Sequence, residues 1–186
     1  MSKPNTQEEV EAVASKGNTK SLYDVDVNKI DGRTGKTKLR LAVDNDDYDW
    51  CKGLVDSGAD VNIKDNKGVT AVMRAVERGR GDIVKVLLQG GADLNIKSLR
   101  GRTALMMAAD FEDYGHCVDF GDIIKYLHQA GADLNIRDNK GDTAVMMAAE
   151  KGHEDIVKYL HQAGADVNIK NDEGWTAFTK ASYEGH

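Results

Sequence analysis

Few residues in this 186-residue chain could do chemistry: two cysteines, five histidines and one short glycine-lysine-threonine run. The run Gly32-Arg-Thr-Gly-Lys-Thr37 has the residue types of a phosphate cradle, but only two residues separate its glycines, too few to wrap a phosphate in backbone N–H groups. Asp110, Asp113, His116, Cys117 and Asp119 cluster in sequence, yet they mix hard oxygen with soft sulfur and match no dedicated ligand spacing. Cys51 and Cys117 show no Cys-x-x-Cys spacing and are too few for a disulfide framework. No Ser/His/Asp or Cys/His arrangement and no paired-carboxylate site is evident, so no catalytic residue, metal or cofactor is expected.

Composition narrows the function classes further. The chain is 40% apolar and 30% charged, enough for a buried core inside a soluble surface. Its net charge of −6 argues against nucleic acid as a partner. No apolar run approaches the roughly 18 residues of a membrane span, and the polar start from Met1 to Gly17 carries no signal-peptide core. The expected setting is cytoplasmic, with no membrane contact.

The elements that would position any site emerge from self-comparison. Gly-Ala-Asp-Val/Leu-Asn begins at Gly58, Gly91, Gly131 and Gly164, in steps of 33, 40 and 33 residues, and Thr70, Thr103, Thr143 and Thr176 keep the same steps. Within one unit, Asp65-Asn66-Lys67-Gly68 is turn chemistry. Thr70 then caps a short helix over Ala71–Arg78, and Gly79 and Gly81 end it. A second helix starts at Asp82 with Ile83, Val84, Leu87 and Leu88 on one stripe, and Gly90-Gly91 stops it. Helices this short cannot bury their stripes alone, so stability must come from stacking on neighbours. Trp50 and Cys51 share register with Ile83 and Val84 and are expected in the core. His128 and His161 are likewise equivalent to each other, and stacked helices would hold them about 8–10 Å apart.

These units resemble the ankyrin repeat, through Thr103-Ala-Leu-Met-Met-Ala-Ala109, Gly152-His153 before a second helix, and Gly164-Ala-Asp-Val-Asn168. Ala stands where the family has Pro, and Met where it has His. The resemblance implies an all-α repeat solenoid of stacked helix-turn-helix units linked by β-hairpin-like fingers. The divisions expected are a degenerate N-terminal capping repeat over 1–30, repeats over 31–64, 65–97, 98–137 and 138–170, and a half-repeat over 171–186.

The seven extra residues of the 98–137 unit fall between Ala109 and Asp122. One reading lengthens the first helix by a turn and starts the second a turn earlier, with Gly115 at the joint. The other raises a specificity loop carrying Phe111, Tyr114 and Phe120, and the two are compatible. Basic residues crowd the earlier turns and first helices, and acidic residues the later ones. The resemblance implies a non-catalytic module that grips a protein in a concave groove of fingers and first helices. The candidate contacts are residues that vary between repeats: Leu99, Arg100, Arg102, Met107, Phe111, Tyr114, Trp175 and Tyr183. The partner expected is a protein segment pairing an acidic residue with an apolar one, bound by a monomer. An alternative reading makes the chain a substrate of an asparagine hydroxylase, or an accessory segment of an enzyme system. Asn62, Asn95, Asn135 and Asn168 occupy the place modified in some ankyrin proteins; the competing account has them satisfying backbone groups between repeats.

Overall fold

The computed structural model describes residues 26–111 and 120–186. Among these the chain forms nine short helices and no strand. Five begin directly after a threonine: α1 (Lys38–Asp44), α3 (Ala71–Glu77), α5 (Ala104–Ala109), α7 (Ala144–Glu150) and α9 (Ala177–Glu184). Four antiparallel partners follow the first four: α2 (Tyr48–Asp56), α4 (Gly81–Gln89), α6 (Phe120–Gln129) and α8 (Glu154–Gln162). The first helices stack in one layer and the second helices in another.

Thr37, Thr103 and Thr176 hold the extended backbone of an N-cap, and their hydroxyls accept from the backbone N–H three residues on. The cap expected from Thr70 forms only in part. Its backbone has the cap conformation, but its hydroxyl is buried without a partner, as is that of Thr143. At these two helices the backbone angle, fixed by the packed finger before it, starts the helix without side-chain help.

Burial follows the repeat. Leu39, Val72, Leu105 and Val145, each two residues after the cap, are sealed from solvent. Truncating a sealed leucine of this kind to Ala costs roughly 2–5 kcal/mol. Cys51 is fully buried as expected, whereas Trp50 is half-buried at the edge of the core. His128 bonds the Tyr159 hydroxyl at 2.9 Å from the next unit, and His161 is exposed.

The fingers are hydrogen-bonded turns. The Asp65 carboxylate accepts from the N–H groups of Lys67 and Val69, at 2.8 and 2.9 Å, and Asp138 repeats this with Lys140 and Asp142, at 2.8 and 3.0 Å. Consecutive fingers touch through their backbones. A Cβ on Gly68 would meet the Leu99 nitrogen at 2.9 Å, and one on Gly101 the Asn139 nitrogen at 2.6 Å. Both glycines have positive φ, so conformation and close approach each require glycine.

The expectation that the insertion lengthens the first helix is not met: α5 stops at Ala109, a residue short of the equivalent end of α3. The expected earlier start of the second helix falls on residues 112–119, outside the described residues. The helix ends because the Asp110 carboxylate turns back to Arg102, and Phe111 leaves the helical path to stack on other rings. Gly115, Tyr114, Cys117 and residues 1–25 of the expected capping repeat lie outside the described residues. Asp26-Val-Asn28, at the end of that segment, makes the same turn as Asp60-Val-Asn62: in each the Asp carboxylate accepts from the Asn N–H, at 3.0 and 2.8 Å.

Candidate interaction surface

Two columns of the repeat carry the chemistry that varies. One is the residue before the capping threonine: Lys36, Val69, Arg102, Asp142 and Trp175. The other lies eight residues later, at the end of the first helix: Asp44, Glu77, Asp110, Glu150 and Tyr183. The finger and helix geometry brings several of these pairs together. Lys36 salt-bridges Asp44 at 2.7 Å, Arg102 salt-bridges Asp110, and the Trp175 and Tyr183 rings meet edge to face at 4.9 Å. The same scaffold therefore offers opposite charges in two units and an aromatic pair in another.

Neighbouring units are tied across this strip. Arg74 reaches back to Asp44 at 2.8 Å, with Arg40 at 3.7 Å and Arg78 at 3.9 Å, so four cations surround one carboxylate. Burial pushes the Asp44 carboxyl up, but hydrogen bonds from Lys36 and Arg74 and the Arg40 charge outweigh it and hold its pKa at about 2. At the other end, Lys180 bridges the like-charged pair, bonding Asp142 at 3.1 Å and also Glu150. Burial lowers the Lys180 pKa, and these two hydrogen bonds more than reverse that, leaving it raised. The strip thus runs from a cation-rich end to an acidic end, where Glu150, Glu173, Trp175, Lys180, Tyr183 and Glu184 line a shallow cleft.

The expected contact residues divide into three groups. Leu99 and Arg100 stand exposed on the third finger, with Leu99 71% accessible. Leu99 takes the place of Asn66 and Asn139, whose side-chain amides donate to the preceding finger at Arg33 O (2.9 Å) and Leu99 O (2.8 Å). The third finger forgoes that bond and presents an apolar side chain to water. Trp175 and Tyr183 flank the C-terminal cleft, two units along from Arg102.

Arg102, Met107 and Phe111 are more embedded than expected. The Arg102 guanidinium faces Asp110 and, at 3.9 Å, Asp138 of the next unit, so its donors serve this chain's own carboxylates first. Met107 is half-buried against the core. Phe111 is sandwiched between Phe120, with centroids 4.3 Å apart, and His153, at 4.0 Å; His153 Nε2 also lies 2.8 Å from the Phe111 carbonyl oxygen. Cutting Phe111 or Arg102 to alanine therefore disturbs the fold as well as the surface, because each ties its unit to the next. Tyr114 lies outside the described residues.

The asparagines act as ties between units. Asn62, Asn95 and Asn135 each accept, through Oδ1, from the backbone N–H of Asp93, Asp133 and Asp166 in the following unit, at 2.8, 3.0 and 2.8 Å. Asn28 does the same for Asp60 at 2.8 Å. Sequence reasoning missed the Asp44 cluster and the Lys180 bridge, although aligning the two variable columns would have revealed the first.

The model of the family described as Ankyrin repeats (3 copies) matches residues 10–98, 39–120 and 114–186. No curated protein matches the chain.

Proposed function

Because the chain belongs to the ankyrin-repeat family, whose members are generally protein–protein interaction modules, we propose that it is a non-catalytic module gripping a protein along the strip of fingers and first helices. The observation that carries this reading is the contrast between columns. Positions facing the core repeat almost unchanged, whereas the two columns on the strip change from ion pair to aromatic pair along the stack. Stacking alone asks for no such variety, and binding specificity does. Leu99, Arg100, Met107, Trp175 and Tyr183 are the contacts favoured, with Arg102 and Phe111 shaping the surface between them. Tyr114 stays a candidate contact on sequence grounds alone. The partner pairs acidic with apolar groups, and the module acts as a cytoplasmic monomer.

A photo-crosslinking amino acid placed at Met107, compared with one at the exposed Lys158 on α8, tests this. A partner captured through position 107 and not through 158 supports the reading. Equal capture from both faces, or none from 107, refutes it.

A further inference from the structure

The fingertips carry a second pattern, which shares only Leu99 and Arg100 with the contacts favoured above. Lys67, Arg100 and Lys140 occupy the same place on three consecutive fingers, and all are exposed. Among the described residues no carboxylate lies within ion-pair distance of any of the three. The finger acids are turned away: Asp65 and Asp138 cap their own backbone amides, and Asp65 also faces Arg40 at 3.4 Å. Lys64, Lys97 and Lys170 enter the fingers exposed and, among the described residues, without an ion-pair partner, adding positive potential along the same ridge.

The spacing of the tip cations is fixed by a backbone chain. The carbonyl of Lys67 accepts from Leu99 N–H at 3.0 Å, that of Arg100 from Asn139 N–H at 3.2 Å, and that of Lys140 from Asp172 N–H at 3.0 Å. Stacked units advance by about 8–10 Å, so the cations recur at that interval. Three residues of polyproline II advance about 9 Å and return the side chain to the same face. A β-strand covers a similar length in three residues but turns that side chain to the opposite face.

We propose that this ridge binds an extended, proline-rich acidic segment of the partner, with a carboxylate at every third residue. The inference rests on the module reading above and names the partner chemistry for its finger edge. Leu99, in place of a bond-forming asparagine between the first two cations, supplies an apolar contact for a proline ring. The row ends at Glu173, which occupies the equivalent tip of the next finger, so the matching segment carries three acids followed by a base. A nucleic-acid strand fits less well. Its charges recur about every 3.4 Å along the axis, out of step with cations about 8–10 Å apart.

The test compares two fluorescein-labelled peptides of identical composition, Glu-Pro-Pro-Glu-Pro-Pro-Glu-Pro-Pro-Lys and the clustered Glu-Glu-Glu-Pro-Pro-Pro-Pro-Pro-Pro-Lys. Each is titrated with the full chain at low salt and followed by anisotropy, with labelled oligothymidylate as a third probe. The spaced peptide is expected to bind about tenfold tighter than the clustered one, and the triple variant Lys67→Gln, Arg100→Gln, Lys140→Gln to lose that preference. Equal binding of the two peptides, a preference that survives in the triple variant, or tighter binding of oligothymidylate overturns the proposal. Capture through position 107 in the triple variant separates the two readings. If it persists while the peptides are not distinguished, the ridge proposal falls and the module stands; if it is absent in the native chain, the module reading itself fails.

Discussion

Replacing Phe111 with alanine should destabilise the chain by about 2.5–5.5 kcal/mol. A fully buried phenylalanine cut to alanine costs roughly 3–5 kcal/mol, and a half-buried one about half of that. The two parallel stacks, on Phe120 at 4.3 Å and His153 at 4.0 Å, add about 0.5–1.5 kcal/mol each beyond area. The His153 bond to the Phe111 carbonyl survives the substitution, because it uses the backbone. Urea unfolding by circular dichroism measures the loss, with Phe111→Leu expected to be intermediate because it keeps apolar area and loses the rings. A double-mutant cycle with His153→Ala isolates the ring contact, with a coupling of about 0.5–1.5 kcal/mol expected. If Phe111→Ala lies within about 0.5 kcal/mol of the native chain, or the coupling is nil, the stack does not tie the units and the reasoning fails.

The folded pKa of Asp44, about 2, lies below its unfolded value, so its stabilisation is fully present above about pH 4 and is lost as pH falls towards 2. After discount for solvent screening this is roughly 1–2 kcal/mol; the stability gap between native chain and Asp44→Asn should narrow from pH 7 to pH 2.5, and a gap independent of pH contradicts it. Asn95→Ala removes the bond to Asp133 N–H and should cost about 0.5–1.5 kcal/mol in urea unfolding, while an effect below the error of the fit would mean water replaces it freely. Burial, helped by the charges of Asp47, Asp46 and Asp82, pushes the Cys51 thiol up to about 12, so in a Cys117→Ser background a thiol reagent at pH 8 should label it only after denaturant is added. Hydrogen exchange should find Ala177 to Ser182 of α9 opening before Ile123 to Leu127 of α6; equal protection would show that something covers the exposed Phe178.

Much of the fold was legible because it is periodic. The threonine and glycine columns locate each helix start and each turn, and Val72 and Leu105 follow from register alone. The contact surface was less so, for a physical reason. Arg102 and Trp175 occupy one column and look equally free in sequence, but whether a side chain is spent internally depends on the unit beside it. Arg102 finds Asp110 and Asp138, whereas Trp175 finds Tyr183 and stays at a cleft. Phe111 illustrates the same limit: its partners Phe120 and His153 come from opposite sides, one past the insertion and one from the following unit. The asparagine ties could be read from sequence, because Asn and Asp recur in step with the units they join.

The missing amide at Leu99 has a mechanical consequence. The first and second fingers are joined by a backbone bond and the Asn66 side chain, and the third and fourth by a backbone bond and the Asn139 side chain. The next joint adds the Arg137–Asp172 ion pair at 2.8 Å to its backbone bond. Among the described residues, only the Leu99–Lys67 backbone bond spans the gap between the tips of the second and third fingers. Treated as a spring, the finger edge is most compliant there, so flexing of the superhelix concentrates at one joint instead of spreading evenly. The fingers on either side then act as two stiff arms pivoting on the Leu99–Lys67 bond, which holds the spacing of Lys67 and Arg100 while the tilt between the arms changes.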